Sequence, residues 1–228
     1  MKKTPIILSL LTATALTVSA QTSQQWRDSL AVLSRQIELF PNTTDISLKK
    51  AAVNIQLEQW DYAVEEYGNV LRIDPENPAA LYYRAYCQTN LRQYAMARGD
   101  YETFLRKFPY HMEARLGLAT VNAKMGRVTD ARDQYNQLVE MFRDSVVCYV
   151  ARAAFEATQQ QYEVALYDWD EAIKRQPQNV DFMVSKVDLL YRLERYKEAM
   201  AELEKALRRG VPRGVLKEWL DKCQKATR

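Results

Sequence analysis

The sequence predicts an all-α repeat protein, and three observations support this fold class. Prolines recur 34 residues apart at Pro41, Pro75 and Pro109, and the series resumes at Pro177. Small and aromatic residues recur at fixed offsets from these prolines, which chance does not produce five times in succession. The intervening segments have helical length and a helix-forming composition, and none alternates in the way that a β-strand does.

Residues 1–20 predict a secretory signal peptide. Lys2 and Lys3 precede an apolar run, and the segment Val18-Ser19-Ala20 resembles a cleavage site before Gln21. A membrane anchor needs roughly 20 consecutive apolar residues, whereas this run is shorter and is interrupted by Ser and Thr. We therefore expect cleavage between Ala20 and Gln21. The mature chain is then periplasmic or secreted, with no integral membrane segment.

Charge and cysteine content exclude several other classes. Removal of Lys2 and Lys3 leaves 30 basic and 29 acidic residues, so a nucleic acid is not the expected partner. The cysteines, Cys87, Cys148 and Cys223, are odd in number and far apart, so they do not form a disulfide framework. They are interpreted as small buried apolar residues. No Cys or His spacing indicates a metal site.

Four columns of residues repeat with the period of the prolines. Alanine columns allow two helix backbones to approach closely, and aromatic columns fill the space between successive helix pairs. The columns are Ala63, Ala97, Ala131, Ala165 and Ala199; Ala51, Ala85, Ala119, Ala153 and Val187; Tyr67, Tyr101, Tyr135, Trp169 and Leu203; and Trp26, Trp60, Tyr94, Val128, Tyr162 and Tyr196.

This period and these columns resemble the tetratricopeptide repeat (TPR). The resemblance implies a right-handed α-solenoid of stacked antiparallel helix pairs, with five repeats at residues 44–77, 78–111, 112–145, 146–179 and 180–213. The sequence departs from the family pattern at two positions of each first helix. The family's Trp at position 4 is absent, and its Tyr at position 11 is replaced by Asn54, Gln88, Asn122, Glu156 and Leu190.

Both ends of the array have the pattern of a cap. Residues 21–43 are interpreted as an N-terminal half-repeat that contains a cap helix. Residues 214–228 are interpreted as a C-terminal capping helix, because Leu216, Trp219, Leu220 and Cys223 share one helical stripe and charged residues face away from it.

The sequence contains no constellation that predicts catalysis or a cofactor. His111 is the single histidine and is interpreted as a solvated turn residue. Asp168 and Asp170 are interpreted as surface charges. A basic column at position 7 consists of Lys50, Arg84, Arg152 and Lys186 and is interrupted by Leu118. We interpret it as packing, with the charged ends reaching solvent.

The resemblance implies that the first helices line a concave groove, in which positions 2, 5, 9 and 12 form one stripe. The stripe is mainly apolar, and its tyrosines are suited to be contact anchors. The carboxylate clamp of one TPR subgroup is absent, since its positions hold Leu48, Ala52, Glu113 and Gly117. The candidate binding residues are Leu48, Ile55, Tyr82, Tyr86, Leu116, Thr120, Val150, Asp188 and Tyr191, together with the small residues Ala52, Ala154 and Ala157.

These observations predict a non-enzymatic scaffold or adaptor in a bacterial envelope that binds a peptide or helix of a protein partner. One alternative is a constitutive structural subunit of an envelope assembly. A second alternative is an enzyme or small-ligand binder, which would require titratable groups in the groove, where Asp188 stands alone. The sequence leaves a homo-oligomer open.

Overall fold

The computed structural model describes residues 6–40 and 43–227, with side chains from residue 22 onward. The secondary structure of this part is entirely helical, with twelve α-helices and no strand. The helices are α1 Ile6–Leu39, α2 Thr44–Gln56, α3 Trp60–Ile73, α4 Pro78–Asn90, α5 Tyr94–Lys107, α6 Met112–Lys124, α7 Val128–Met141, α8 Val146–Thr158, α9 Tyr162–Arg175, α10 Val180–Arg192, α11 Tyr196–Arg208 and α12 Arg213–Ala226.

Helix starts follow the 34-residue period. The first helices α2, α4, α6, α8 and α10 begin at Thr44, Pro78, Met112, Val146 and Val180, which are the first positions of the five predicted repeats. The second helices begin at the column Trp60, Tyr94, Val128, Tyr162 and Tyr196. Residues 21–39 of the predicted N-terminal half-repeat lie within α1, and the predicted C-terminal cap coincides with α12. The signal peptide was predicted from the side chains of residues 1–20, and these side chains lie outside the described part of the chain.

Local sequence explains how each pair turns. Asn77 caps α4 by accepting a hydrogen bond from the Ala80 N–H, and Pro78 fits the first turn, where no N–H is needed. The loop within each pair passes through the left-handed region at position 15 of the repeat. The residues there are Glu58, Arg92, Gly126, Gln160 and Glu194, of which Gly126 alone has no steric cost.

The two alanine columns form the contact between paired helices. All nine alanines of these columns, and Val187 with them, have no exposed surface. The aromatic column that runs from Tyr67 to Trp169 is also buried, and Leu203 ends it. Neighbouring helices pack in chain order, as α2 with α3, α4 with α5, α8 with α9 and α10 with α11. The all-α repeat fold predicted from the sequence is therefore confirmed.

The chain divides into two compact units, and the division falls within α6. The first unit ends at Gly117, and the second begins at Leu118. In the second unit, one hydrophobic core includes Trp169, Leu190, Leu203, Leu216 and Leu220, so the C-terminal cap helix α12 belongs to that core.

Candidate functional site

A cavity of about 480 Å³ lies in the second unit among α8, α9, α10 and α12. It contains three of the small or charged residues that the sequence places on the binding stripe, namely Ala154, Ala157 and Asp188. Its lining is Ala154, Ala157, Thr158, Trp169, Val184, Ser185, Asp188, Leu189, Arg192 and Trp219. The small side chains of α8 leave the space that the cavity occupies.

The cavity combines an apolar wall with a charged edge. Trp169 and Trp219 provide aromatic surface, and Trp219 is held at its place by an edge contact with Tyr191 at 5.9 Å between ring centroids. Asp188 accepts a hydrogen bond from Arg192 one helical turn later. Sites with mostly apolar walls and a few placed polar groups are typical of ligand and peptide recognition.

The first unit contains a smaller cavity, of about 230 Å³, on the corresponding stripe. Leu48, Ala52 and Ile55 of α2, which belong to the predicted binding stripe, line it. Tyr83 completes one wall and stacks on Tyr67 at 6.0 Å between ring centroids. This cavity is therefore apolar and aromatic.

The remaining predicted residues do not line either cavity. Tyr82 is half-buried and touches Tyr101, Phe104 and His111, with centroid distances of 6.2, 5.6 and 5.2 Å. Its ring therefore has a packing role, and its part in binding stays a prediction. Tyr86 is 42% exposed and meets Trp60 edge-on.

Four predicted binding residues remain. Leu116 belongs to the first unit, and Thr120, Val150 and Tyr191 belong to the second. Thr120 lies 3.3 Å from the Tyr135 hydroxyl, and Val150 and Tyr191 pack against the core of the second unit. Leu116 is partly exposed. Binding by these residues stays a prediction as well.

Several cavity residues were missed by sequence reasoning. Tyr83 follows Tyr82 at position 6, next to the stripe that was considered, and Trp219 was assigned only to the buried stripe of the cap helix. Trp169 belongs to the aromatic column, and its position in the column gave no sign that one side of the ring faces a cavity. A search of the stripe that included position 6 would have found Tyr83.

The basic column at position 7 forms ion pairs with acidic residues 16 positions later. We call this set the ion-pair ladder. It consists of Lys50–Glu66, Arg84–Asp100, Arg152–Asp168 and Lys186–Glu202, with N···O distances of 2.7, 2.7, 2.7 and 3.1 Å. Each pair joins the two helices of one repeat. The column therefore has a structural role, but the prediction that its charged ends reach solvent is wrong, because each end pairs with a carboxylate of the second helix and Lys186 is buried. An anion-binding role is disfavoured because carboxylates already occupy the basic groups.

The interpretation of Asp168 as a surface charge is wrong. Its side chain is fully buried and accepts hydrogen bonds from Arg152 Nε and Nη2 at 2.8 and 2.7 Å. Burial raises the pKa of the Asp168 carboxyl above its usual range, while the Arg152 hydrogen bonds act in the opposite direction. Asp170 is exposed as predicted and lies 2.6 Å from Lys186 Nζ.

His111 is half-buried rather than fully solvated. Its Nδ1 accepts a hydrogen bond from the Ala114 N–H at 3.2 Å, so it caps α6, and its ring meets Phe104 edge-on. The three cysteines are buried, as the sequence predicts. Burial raises the pKa of the Cys87 thiol to about 12, which suppresses the reactive thiolate.

Among the described residues, no group of three or more His, Cys, Asp or Glu side chains is arranged to hold a metal ion. Within the same residues, no helix combines the length and the apolar character needed to cross a membrane.

Comparison with known proteins agrees with this architecture. A family profile described as tetratricopeptide repeat matches residues 88–146 and 151–213. A TPR protein from Parabacteroides merdae is 20% identical, with a TM-score of 0.64 over 92% of this chain and 82% of that chain. A MamA fragment from Desulfovibrio magneticus is 16% identical, with a TM-score of 0.64 over 72% of this chain and 93% of that chain.

One curated relative is similar in sequence. The human mitochondrial import receptor subunit TOM70 is 22% identical over 196 residues, which are 83% of this chain. The chain spans only 29% of the length of that relative.

Paired helices, buried alanine columns and apolar cavities on the first helices define a helical-repeat interaction protein. The chain belongs to the tetratricopeptide repeat family, because the family profile covers more than half of its residues. Members of this family are generally non-enzymatic scaffolds for protein–protein interaction.

Proposed function

We propose that the chain is an exported, non-enzymatic scaffold of a bacterial envelope that binds a peptide or helix of a protein partner. The cavity of the second unit is the proposed binding site. The observation that carries the proposal is the pairing of Trp169 and Trp219 with the small side chains of Ala154 and Ala157 in one cavity.

The chemistry of this cavity suits an apolar side chain that projects from a partner segment. Tryptophan is enriched among residues that dominate binding energy, since it contributes large contact area with few rotatable bonds. The Asp188–Arg192 pair at the edge offers both an acceptor and a donor to polar groups of the same segment. The apolar cavity of the first unit is a second candidate contact surface.

The test is a comparative pull-down from native envelope material with three baits. Ala154 is exposed in the cavity, so Ala154→Arg places a long charged side chain in it without disturbing the core. Ala201 is also exposed, lies on the second helix α11 and is outside the cavity, so Ala201→Arg is the matched control. We expect partners that the parent and Ala201→Arg capture and Ala154→Arg loses. Equal capture by all three baits would exclude this cavity as the binding site for the partner.

Export has a separate test, because its prediction rests on residues 1–20 alone. We expect an intact mass that corresponds to a chain beginning at Gln21 and recovery in the soluble envelope fraction. A mass that retains residues 1–20, or recovery only with membranes, would contradict the export prediction.

The alternative of a constitutive structural subunit predicts a different result. Such a subunit would co-purify with its assembly at fixed stoichiometry and would be poorly soluble alone.

A further inference from the structure

A second cavity in the first unit differs from the apolar one in chemistry and in position. It has a volume of about 450 Å³ and lies among α1, α2 and α3. Its lining is mostly polar and consists of Leu30, Ser34, Lys50, Asn54, Gln59, Tyr62, Glu65 and Glu66. Positions 7 and 11 of α2 line it, whereas positions 5, 9 and 12 line the apolar cavity, so the two cavities use different faces of the helix.

Two side chains that line this cavity carry buried polar atoms without a protein partner. Asn54 is 1% exposed, and neither its amide oxygen nor its amide nitrogen reaches a hydrogen-bond partner among the described residues. Glu66 is 8% exposed, and within the same part of the chain its Oε2 has no partner. Burial of such atoms costs free energy unless a partner satisfies them, which makes both side chains candidates for ligand contacts.

The other repeats provide an internal comparison. In the ion-pair ladder, Arg84 and Arg152 each bind both oxygens of the opposite carboxylate, Asp100 and Asp168, through two hydrogen bonds. In the first repeat, Lys50 instead contacts a single oxygen of Glu66, at 2.7 Å.

Position 11 shows a similar contrast between the fourth repeat and the first. Glu156 in the fourth repeat receives hydrogen bonds from Arg132 Nε and Nη2, with a shortest distance of 2.8 Å, whereas Asn54 in the first repeat receives none from the described residues. Unsatisfied acceptors at position 11 also occur at Gln88 Oε1 and Asn122 Oδ1, so Asn54 is distinguished by the lack of a partner for both of its amide atoms among the described residues. The first repeat combines this amide with the unsatisfied Oε2 of Glu66, and the polar cavity lies beside both side chains.

The charge of the cavity favours a cation. Lys50 and Glu66 compensate each other, and Glu65 at the exposed edge adds one negative charge. The unsatisfied acceptors, Glu66 Oε2 and Asn54 Oδ1, need donors, and the exposed ring of Tyr62 can support a cation at the cavity edge. A planar guanidinium has five N–H donors and no acceptor, so it fits these groups better than a neutral molecule does.

We propose that this polar cavity binds a guanidinium group. A carbonyl oxygen on the same ligand would satisfy the amide nitrogen of Asn54. The group can come from a small molecule or from an arginine side chain of a peptide, and the chemistry is shared by the two sources. The site is independent of the cavity in the second unit.

The test is calorimetric titration of the folded protein with N-acetyl-L-argininamide, which carries one guanidinium and two carbonyl groups. Its neutral isostere, N-acetyl-L-citrullinamide, is the ligand control. We expect saturable binding of the arginine derivative and at least about tenfold weaker binding of the citrulline derivative, because a charge-assisted hydrogen bond is lost. Equal binding of the two compounds, or no saturable binding of either, would overturn the proposal.

Variants locate the binding in this cavity. Glu66→Gln removes the charged acceptor and should weaken binding at least about tenfold. Glu65→Arg reverses an exposed charge at the cavity edge, so it keeps the fold and should weaken binding by a similar factor. Asp61→Arg makes the same charge change on the same helix outside the cavity and should leave binding within about twofold. Unchanged binding by Glu65→Arg would refute the assignment even if Glu66→Gln did not fold.

Titration with the blocked tripeptide acetyl-Gly-Arg-Gly-amide distinguishes the two sources. Binding as tight as that of N-acetyl-L-argininamide supports recognition of an arginine side chain in a peptide. Binding of the small compound alone supports a small-molecule site.

Discussion

Asp168 illustrates how one buried charge is tolerated in this fold. Its carboxylate is removed from solvent, and the Arg152 fork supplies two hydrogen bonds at 2.8 and 2.7 Å. Arg152 Nη1 also donates to Asn136 at 3.0 Å, so the guanidinium ties α8 to both α7 and α9. Such a pair contributes little net stability compared with apolar packing, but removing one member leaves the other charge buried and unpaired.

The Asp168→Ala variant should therefore lose about 3–5 kcal/mol of unfolding free energy. Asp170→Ala is the matched control two residues away. Its carboxylate is exposed, and Lys186 keeps Glu202 as a second partner, so the loss should be about 0–1 kcal/mol. Urea unfolding followed by circular dichroism measures both. Similar losses for the two variants would contradict the structural assignment of Asp168.

Tyr82 and Tyr86 form a second matched pair. The Tyr82→Ala variant should lose about 1–2 kcal/mol, because its half-buried ring touches Tyr101, Phe104 and His111. Tyr86→Ala should lose less than about 1 kcal/mol, since that ring is 42% exposed. Thermal unfolding of the two variants distinguishes the roles, and an equal or larger loss for Tyr86→Ala would show that the core extends to that ring.

At the scale of the helix pair, the sequence predicted the fold well because packing in this family is periodic. All nine alanines of the two columns are buried, because small side chains let the paired backbones approach closely, and Val187 at the end of one column is buried as well. Helix starts were predictable for the same reason. The ion-pair ladder was not predicted, although its constant spacing of 16 residues was present in the sequence.

The candidate site was harder to predict than the fold. Exposure of a stripe residue depends on which side the neighbouring helix covers, and sequence spacing within one helix does not contain that information. Tyr82 and Tyr83 are adjacent in the chain, yet Tyr82 turns toward α5 and Tyr83 lines a cavity. The unsatisfied amide of Asn54 likewise depends on distances among three helices.

Gly117 shows how one element depends on the close approach of another. A Cβ atom at this position in α6 would lie 2.5 Å from Cζ of Tyr101, so α6 passes the buried ring too closely for any side chain. Gly99 in α5 has no atom within 4 Å of the corresponding point and serves as a control. The two glycines are both helical, and only their surroundings differ.

The Gly117→Ala variant should lose about 1–3 kcal/mol of unfolding free energy through overpacking. Gly99→Ala should instead gain about 0.5–1 kcal/mol, because alanine has the higher helix propensity. Introducing Gly117→Ala into a Tyr101→Leu background should remove most of its penalty, since the clashing ring atoms are absent. Denaturant unfolding of this double-mutant cycle provides the measurement. A stabilising Gly117→Ala in the parent background would show that the helix and ring are not in contact.

At the scale of the whole molecule, ion pairs couple stability to pH. A hydrogen bond from Arg175 lowers the pKa of the Glu171 carboxyl below its usual value of 4.5. Burial opposes ionisation of Glu202, but hydrogen bonds from Lys205 and Lys186 outweigh that cost and lower its pKa as well. The pKa of the Asp168 carboxyl shifts in the opposite direction, because burial raises it. Glu76, Glu198 and Glu218 also have a lowered pKa, each through a hydrogen bond from a basic side chain, so five lowered carboxyl groups act against one raised group.

These directions determine the expected pH profile. A carboxyl group whose pKa is lower in the folded state contributes stability above its unfolded pKa, and that contribution is lost as the pH falls through the folded pKa. Asp168 binds its proton more readily in the folded state and so offsets part of this loss. We expect an unfolding temperature that is nearly constant from about pH 7 to about pH 5 and that decreases below about pH 4.5. Melting curves measured by circular dichroism across this range test the profile.

Two variants test whether the decrease in unfolding temperature at low pH comes from the carboxylates of Glu171 and Glu202. The double variant Glu171→Gln, Glu202→Gln should melt at a lower temperature than the parent at pH 7 and should lose less on acidification, because the groups that titrate have been removed. Glu140→Gln, at an exposed position, should follow the parent curve throughout. If the double variant lost as much unfolding temperature on acidification as the parent, the loss would come from other carboxyl groups, and the Glu171 and Glu202 ion pairs would contribute no measurable stability.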